Sequence, residues 1–565
     1  MKGCICHLNG YEVKDAYARK LLEQEGFVSV FDYGAVGNGE TDDTAALQAA
    51  LDTGKKVFIP DGVYNISAPI TGTNSIRGDR NTVIRFTPGG TYQQAVTIKG
   101  SRNSLCENMA CTMGENSITV AGADFSGLKP GDYVFLVSNE RAATDAREYD
   151  YKEETLEVSA VSGSTITFYT APKWEYATVS VEKYLFADHV EISNIRIECT
   201  KVTTHSSSIL VRNCFAASVH NCDARGFDYA GIYVDNCVHS KVFANYAQVD
   251  YRDELQYGIV ISHSYFVSVF GNTINSKRTA IDTTYSSAHI SVYGNSVFGN
   301  INTHWAYDIS ITGNSVQEGG ILIRGTRVVV EGNNVQATKS SCLNIAEGGA
   351  EGNISIIGNS FKGHFECGIP QSNITISNNN FIVESVGSYA FSAIYRGVNH
   401  AGMLIAGNSF IYTGPEDTRP EHCLFFGSLN WVVNVKIHNN TFKGFKIPLH
   451  CKQLAGGDTS HAFIVTDNII YAYERGITYR SINNMQIRGN SFYGEGESPA
   501  TGIYRMEDNA GAAGVMITGN YFNGFVYGIH VNSGSAIATQ GLVKDNIFVN
   551  VQTNVVMDGL TPVTE

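Results

Sequence analysis

The sequence predicts an all-β protein, a right-handed single-stranded parallel β-helix with an N-terminal capping helix and a small β insertion. Three observations predict it. A strand–turn–strand motif centred on Asn recurs from Asn194 to Asn546. The composition is turn-rich and ordered, with 57 Gly, 11% aromatic and only 17% charged residues. Pro is scarce, at 11 in 565 residues, as suits a chain whose backbone N–H groups must join long ladders.

The repeat is the strongest of these. In order it reads ISNIRI, VHNCDA, VFANYA, VFGNTI, VYGNSV, ITGNSV, VEGNNV, IIGNSF, ISNNNF, IAGNSF, IHNNTF, VTDNII, IRGNSF, ITGNYF and VKDNIF. Its Asn residues are 194, 221, 245, 272, 295, 314, 333, 359, 379, 408, 440, 468, 490, 520 and 546, spaced 19 to 32 apart. Each motif is a strand, a turn and a strand. Asn tolerates the left-handed turn conformation, and its amide can bond the Asn one coil away. A coil that buries its inward face only against neighbouring coils makes one continuous array over 186–565.

Upstream, residues 27–111 read as the helix-capped start of that array. Val28–Phe31 alternates like a strand, Thr41 or Asp42 caps a helix with Ala46, Leu47, Ala50 and Leu51 on one face, and Gly54 ends it. Such a helix can cover the apolar end of a strand stack. Residues 112–185 hold strands at Val134–Val137, Leu156–Val161 and Thr165–Tyr169, a small β insertion. Residues 1–26 are an attachment segment, with a short helix expected over 11–25.

A net charge of −14 excludes nucleic acid as a natural partner. No apolar run of membrane-spanning length is present, and the N-terminus lacks the apolar core of a signal peptide. The 12 Cys are expected reduced and mostly buried. No metal and no cofactor is expected.

Residues 30–66 resemble the N-terminal signature of the pectate-lyase-like β-helix superfamily, as found in phage tailspikes and capsule depolymerases. The matching residues are Asp32-Tyr33-Gly34-Ala35-Val36-Gly37, Thr41-Asp42-Asp43-Thr44-Ala45-Ala46 and Phe58-Ile59-Pro60-Asp61-Gly62-Val63-Tyr64. The resemblance implies a homotrimeric, virion- or cell-exterior protein that binds and cleaves a bacterial capsular or surface polysaccharide. It also implies attachment to a phage tail through the N-terminus. The repeat runs nearly to the end of the sequence, which leaves little room for a separate trimerisation domain.

Aligning coils on the Asn motif places candidate chemistry. Upstream strands read YAGIYVDN (229–236), QYGIVISH (256–263), RTAIDTTY (278–285) and NINTHWAYD (300–308). Asp282 then faces outward beside Val260 and Tyr233. His304 is level with Tyr285, Ser262 and Asp235. Glu254 and Arg278 take similar places on adjacent coils, roughly 5 Å apart. Glu254, Arg278, Asp282 and His304 are the catalytic candidates, and Tyr257, Tyr285, Trp305, Tyr307 and Asp235 the substrate-binding ones. Hydrolysis needs two carboxyl groups, for which Asp282 with Glu254 or Asp253 qualify. Elimination needs a base, His304 or Tyr285, and a cation on the uronate carboxylate, Arg278. Plainer roles are open to the same residues: a surface ion pair, a coil cap, a turn hydrogen bond. A polysaccharide depolymerase, hydrolase before lyase, is the leading expectation. A non-catalytic adhesin or tail protein, a uronate-specific lyase and a bacterial polysaccharide-modifying enzyme are the alternatives.

Overall fold

A computed structural model describes residues 7–8, 11–12, 24–141, 151–200, 205–249, 256–346, 352–367, 372–384, 400–429, 432–453, 463–480, 482, 484–496, 500–506, 514–532 and 542–557. The chain forms two compact units, Met1–Ile309 and Ser310–Glu565.

In the first unit each coil gives one strand to each of three parallel sheets. The first sheet runs through Phe27–Ser29, Lys56–Ile59, Ile76–Gly78, Glu191–Ser193, Ser218–His220, Lys241–Phe243, Ser268–Phe270 and Ala288–Tyr293. The second runs from Asn38–Asp42 to the first half of Thr273–Thr284. The third runs through Ile70–Gly72, Gln94–Lys99, Ser207–Arg212, Ala230–Asp235, Tyr257–Ser262, the second half of Thr273–Thr284 and Ser296–Thr312. β-branched residues suit this pleated, half-buried geometry. Val57, Ile76, Ile192, Val219, Val242, Val269 and Val292 form one inward column of the first sheet, each at most 1% exposed. Each such burial stabilises the fold by about 1.5–3 kcal/mol.

The helix Thr44–Leu51 packs Leu47, Ala50 and Leu51 inward. Its Gln48 side chain donates to the Thr71 carbonyl and accepts from the Thr71 N–H, fastening it to the first coil. Its N-cap is Asp43, not Thr41 or Asp42. The buried Asp43 carboxylate turns back to accept the N–H groups of Val36 and Gly37, while Asp42 accepts the Thr44 N–H. The helix expected over 11–25 does not begin at Tyr11, because Tyr11–Glu12 pairs antiparallel with His7–Leu8; residues 13–23 lie outside the described residues.

The insertion is a closed antiparallel barrel of six strands: Ser101–Met113, Ser117–Val120, Tyr133–Arg141, Tyr151–Ser162, Thr165–Phe168 and Thr178–Leu185. It begins at Ser101 rather than 112. The first strand runs unbroken through two register shifts, which blur its alternation in the sequence. Ile118, Phe125, Val134, Val158, Phe168 and Val181 fill its own core. Tyr133, Phe135 and Tyr184 then dock on a row of coil residues, Val238, Tyr265, Ala288 and Tyr307. Closure leaves the barrel without a free strand edge.

The second unit repeats the three-sheet coil. Phe361, Phe381, Phe410 and Phe442 stack inside it at 4.9–5.0 Å, and Phe492, Phe522 and Phe548 at 4.8–5.1 Å. Its third face begins with the paired stretches 321–323, 343–345 and 365–367 and carries a separate sheet of six strands, His422–Leu429, Ile447–Gln453, Arg475–Arg480, Thr501–Arg505, Tyr527–Val531 and Thr553–Met557.

The Asn motif is a buried amide ladder in both units. In the first, Asn245 Nδ2 donates to Asn272 Oδ1 and Asn272 Nδ2 to Asn295 Oδ1, at 3.0 and 2.9 Å. In the second, the same bond links Asn314, Asn333, Asn359, Asn379, Asn408, Asn440, Asn468, Asn490, Asn520 and Asn546 in turn. The backbone N–H of each donor bonds the same oxygen, as Asn379 does to Asn408. Asn194 and Asn221 are not rungs. They hold the left-handed turn, at φ 58 and 53, which Gly271 and Gly294 hold on later coils. Cys222 takes the rung position there, its N–H reaching Asn245 Oδ1. The turn and the rung are thus adjacent residues, and Asn suits both.

Candidate functional site

The outward face of the first unit's third sheet carries the candidate chemistry. Register places Tyr233, Val260, Asp282 and Asn302 side by side on successive strands. Asp282 is the one carboxylate in that column, and it is buried, 3% exposed. One side is aromatic. Tyr229 lies 5.8 Å from Tyr257, 6.3 Å from Tyr233 and 6.4 Å from Tyr92, and Tyr92 stacks on His205 at 5.2 Å. Arg278 places its guanidinium 5.7 Å over the Tyr257 ring. Burial, then the neighbouring Tyr257, Tyr285, Asp282 and Tyr92, push the Tyr229 hydroxyl up to about 12. Tyr229 is therefore a neutral donor beside an acidic group.

Other expected residues go elsewhere. His304 pairs in register with Thr284, not Tyr285, and so continues the column of Asp235, Ser262 and Thr284. Tyr285 is the next residue, with φ 47, and stacks at 5.4 Å on His263. Its own ring is 42% exposed. Asp235 is not open to a substrate as expected. It is buried between Arg212 at 2.7 Å and His263 at 3.2 Å. His263 also meets Glu153 of the barrel at 2.8 Å. Burial works against the charged imidazole, but Asp235 and Glu153 outweigh it and hold His263 up to about 9. Burial likewise opposes the Asp235 charge, but His263 and Arg212 keep that carboxyl below its usual range. Tyr307 is also lost as a sugar platform. It is 6% exposed in the barrel seam, its hydroxyl donating to Tyr265 and its ring covered by Lys173 at 4.1 Å. Trp305 sits half-buried at a left-handed turn, φ 59. Glu254 and Asp253 lie outside the described residues.

Strand geometry tests which carboxylates can act together. Asp235 is two strands and two residues from Asp282, on the order of 12 Å at ~4.8 Å per strand and ~3.3 Å per residue. That exceeds the ~6.5–9.5 Å of an inverting pair. A second carboxyl for Asp282 must come from elsewhere. His304 lies one strand and two residues away, roughly 8 Å by the same spacings.

Tyr92, Tyr229 and Tyr233 were missed as site residues. The last two flank a Gly-Ile step, Tyr229-Ala230-Gly231-Ile232-Tyr233, that recurs as Tyr257-Gly258-Ile259-Val260 and would have aligned the outward column without the Asn ruler. Among the described residues no cluster of His, Cys, Asp and Glu is placed to hold a metal ion, and no helix is long and apolar enough to cross a membrane.

Known proteins agree with this fold. Residues 27–123 match the family described as rhamnogalacturonase A/epimerase, pectate lyase-like, and residues 154–297 the right handed beta helix region. The pre-neck appendage protein of Bacillus phage phi29 is 34% identical over 110 residues, 19% of this chain and 12% of that protein. Mannuronan C5-epimerase AlgE5 of Azotobacter vinelandii is 31% identical over 153 residues, 24% of this chain and 14% of that protein. The matched stretches are thus a small part of those relatives. Tailspike gp49 of Pseudomonas phage LKA1 superposes with TM-score 0.52 at 18% identity, over 91% of this chain and 82% of that one. The gp54 tailspike of Acinetobacter baumannii bacteriophage AP22, solved in complex with a capsular saccharide, gives 0.50 at 15% identity, over 96% and 80%. The class is a right-handed parallel β-helix of the pectate-lyase-like type. Within it, the chain resembles phage tailspikes.

Proposed function

We propose that the chain is a phage-tail-associated polysaccharide depolymerase that acts along the outer flank of the first unit. The observation that carries this is Asp282: a carboxyl set into an outward column of otherwise uncharged residues, with Tyr229, Tyr257 and Arg278 alongside. A flank of strands ~4.8 Å apart suits a polymer, because successive coils can each contact part of it. In the hydrolytic version Asp282 serves with Glu254 as the acid and its partner carboxylate. Arg278 and the tyrosines orient the sugar ring. The AP22 tailspike's complex with capsular saccharide and the phi29 appendage match support the wider setting, a virion tail and a surface polysaccharide as partner; attachment through the N-terminus and a homotrimer belong to the same proposal.

A second reading is favoured by the mannuronan C5-epimerase relatives. Elimination and epimerisation both begin with removal of the C5 proton of a uronate. In elimination the C4 oxygen then leaves with the bonding pair. In epimerisation a proton returns to C5 from the other face. His304 is the candidate base and Arg278 the partner of the carboxylate.

The experiment is incubation of the full chain with capsular and uronate polysaccharides in D2O. New reducing ends without ultraviolet absorbance of an unsaturated uronate support hydrolysis. Both together support elimination. Deuterium at C5 without shortening supports epimerisation. Binding with none of these sinks the enzyme reading and leaves a non-catalytic tail protein.

A further inference from the structure

The second unit carries its own strip, on its six-stranded sheet. Register aligns Phe425, His450, Thr478, Tyr504 and His530 on five successive strands. The strands share the Gly-Ile step of the first unit, as Gly476-Ile477-Thr478, Gly502-Ile503-Tyr504 and Gly528-Ile529-His530, so the column is the counterpart of Tyr233, Val260 and Asp282. The rings touch. Phe425 lies 4.8 Å from His450, and Tyr504 5.4 Å from His530. Arg475 lays its guanidinium 4.2 Å over Tyr504.

Charge sets this strip apart. The chain has net charge −14, yet the six strands of this sheet contain no Asp or Glu. They hold four Lys or Arg and three His. Glu421 and Glu474 stand in the turns before the strands, engaged at 3.6 Å with His422 and at 3.7 Å with Lys446. In the middle of the column Thr478 is fully buried, and its hydroxyl has no hydrogen-bond partner among the described residues. Planar rings, a stacked guanidinium and an unmet hydroxyl are groups that hold a sugar ring and its carboxylate.

We propose that this strip is a separate, non-catalytic binding site for a carboxylated, uronate-containing polysaccharide. It names the substrate class for the activity proposed above and rests on that reading only for its biological purpose. Six strands span roughly 24 Å, so the site takes a short run of sugars.

The test uses the full chain carrying Asp282→Asn, so that the probe survives, with oligogalacturonate, oligomannuronate and neutral dextran oligomers of ~8 sugars, a length beyond the strip. At least one uronate oligomer is expected to bind, dextran not. Arg475→Gln is expected to weaken that binding about tenfold or more, as loss of a charge-assisted contact does. Tyr504→Phe should retain binding and Tyr504→Ala weaken it. Unchanged thermal melting of each variant shows that the fold is intact. Uronate binding that survives both Arg475→Gln and Tyr504→Ala overturns the site, as does equal binding of dextran or no binding of either uronate. Cleavage that survives Asp282→Asn overturns the catalytic reading instead and leaves the strip standing.

Discussion

Each unit builds an outward column on strands that share a Gly-Ile step, and the two columns differ. In the first unit its outward column holds a carboxylate, Asp282, and the neighbouring column ends in a seam closed by the barrel. In the second unit the matching column from Phe425 to His530 holds rings, with Arg475 laid over Tyr504, and no acid. Backbone register and the Gly-Ile step are shared, so the difference lies in side chains alone. A repeat fixes where a side chain points and leaves open which one stands there. Reaction and retention can therefore be assigned to different coils of one scaffold.

The sharpest way to break this contrast is Asp282→Asn. It is nearly isosteric, and kcat should fall about 10²–10⁴-fold, as for loss of a general acid or base. Arg475→Gln should leave kcat and raise KM. Equal kcat losses in both variants would erase the division of labour.

Next in size is what the units have in common. Asn379→Ala removes donors to Asn408, Ile356 and Ser377 and the acceptor for Asn359. Asn272→Ala does the same around Asn245, Val242 and Asn295. Each should cost about 2–5 kcal/mol, since buried partners are left unmet, read as a lower denaturant midpoint. A cost confined to one unit would show that the ladders are not equivalent.

The barrel seam belongs to the first unit, and its response to pH is signed. The folded-state pKa of His263 is raised to about 9, from an ordinary 6.5. Its contribution is complete below about 6.5 and is lost as pH rises through about 9. Melting temperature should decline across that window, and His263→Gln should flatten the decline while lowering stability throughout. A wild-type profile flat from about 6.5 to 9 would remove the His263 pairing from the seam. The smallest effect is expected at Tyr229→Ala, a rise in KM of about 2–10-fold from the loss of ring contacts, with kcat kept.

Much of this was legible in the sequence. Repeat spacing alone gave the coils, and the strand alignment put Asp282 beside Val260 and Tyr233, as the register has it. What failed was physically ambiguous or distant. Asn194 and Asn221 misled because a left-handed turn and an amide rung favour the same residue on adjacent positions. Tyr307 looked like an open flank residue because the group that covers it, Lys173, comes from an insertion remote in sequence, and Asp235 because the ion pairs that enclose it, with Arg212 and with the His263 that the insertion's Glu153 engages, are not written in the strand pattern. The second strip was readable from its Gly-Ile steps, but attention to carboxylates passes over a surface whose mark is their absence.

The amide ladder has a direction. Every rung donates toward the C-terminal neighbour and accepts from the N-terminal one. A finished coil therefore offers two unmet donors, a side-chain and a backbone N–H, to whatever chain comes next. Completing a coil means closing a loop of only 19–32 residues, and loop-closure entropy grows slowly with such lengths. During synthesis each coil can thus serve as template for the one following it, and a long all-β chain is spared the distant strand pairings that make such proteins slow to fold.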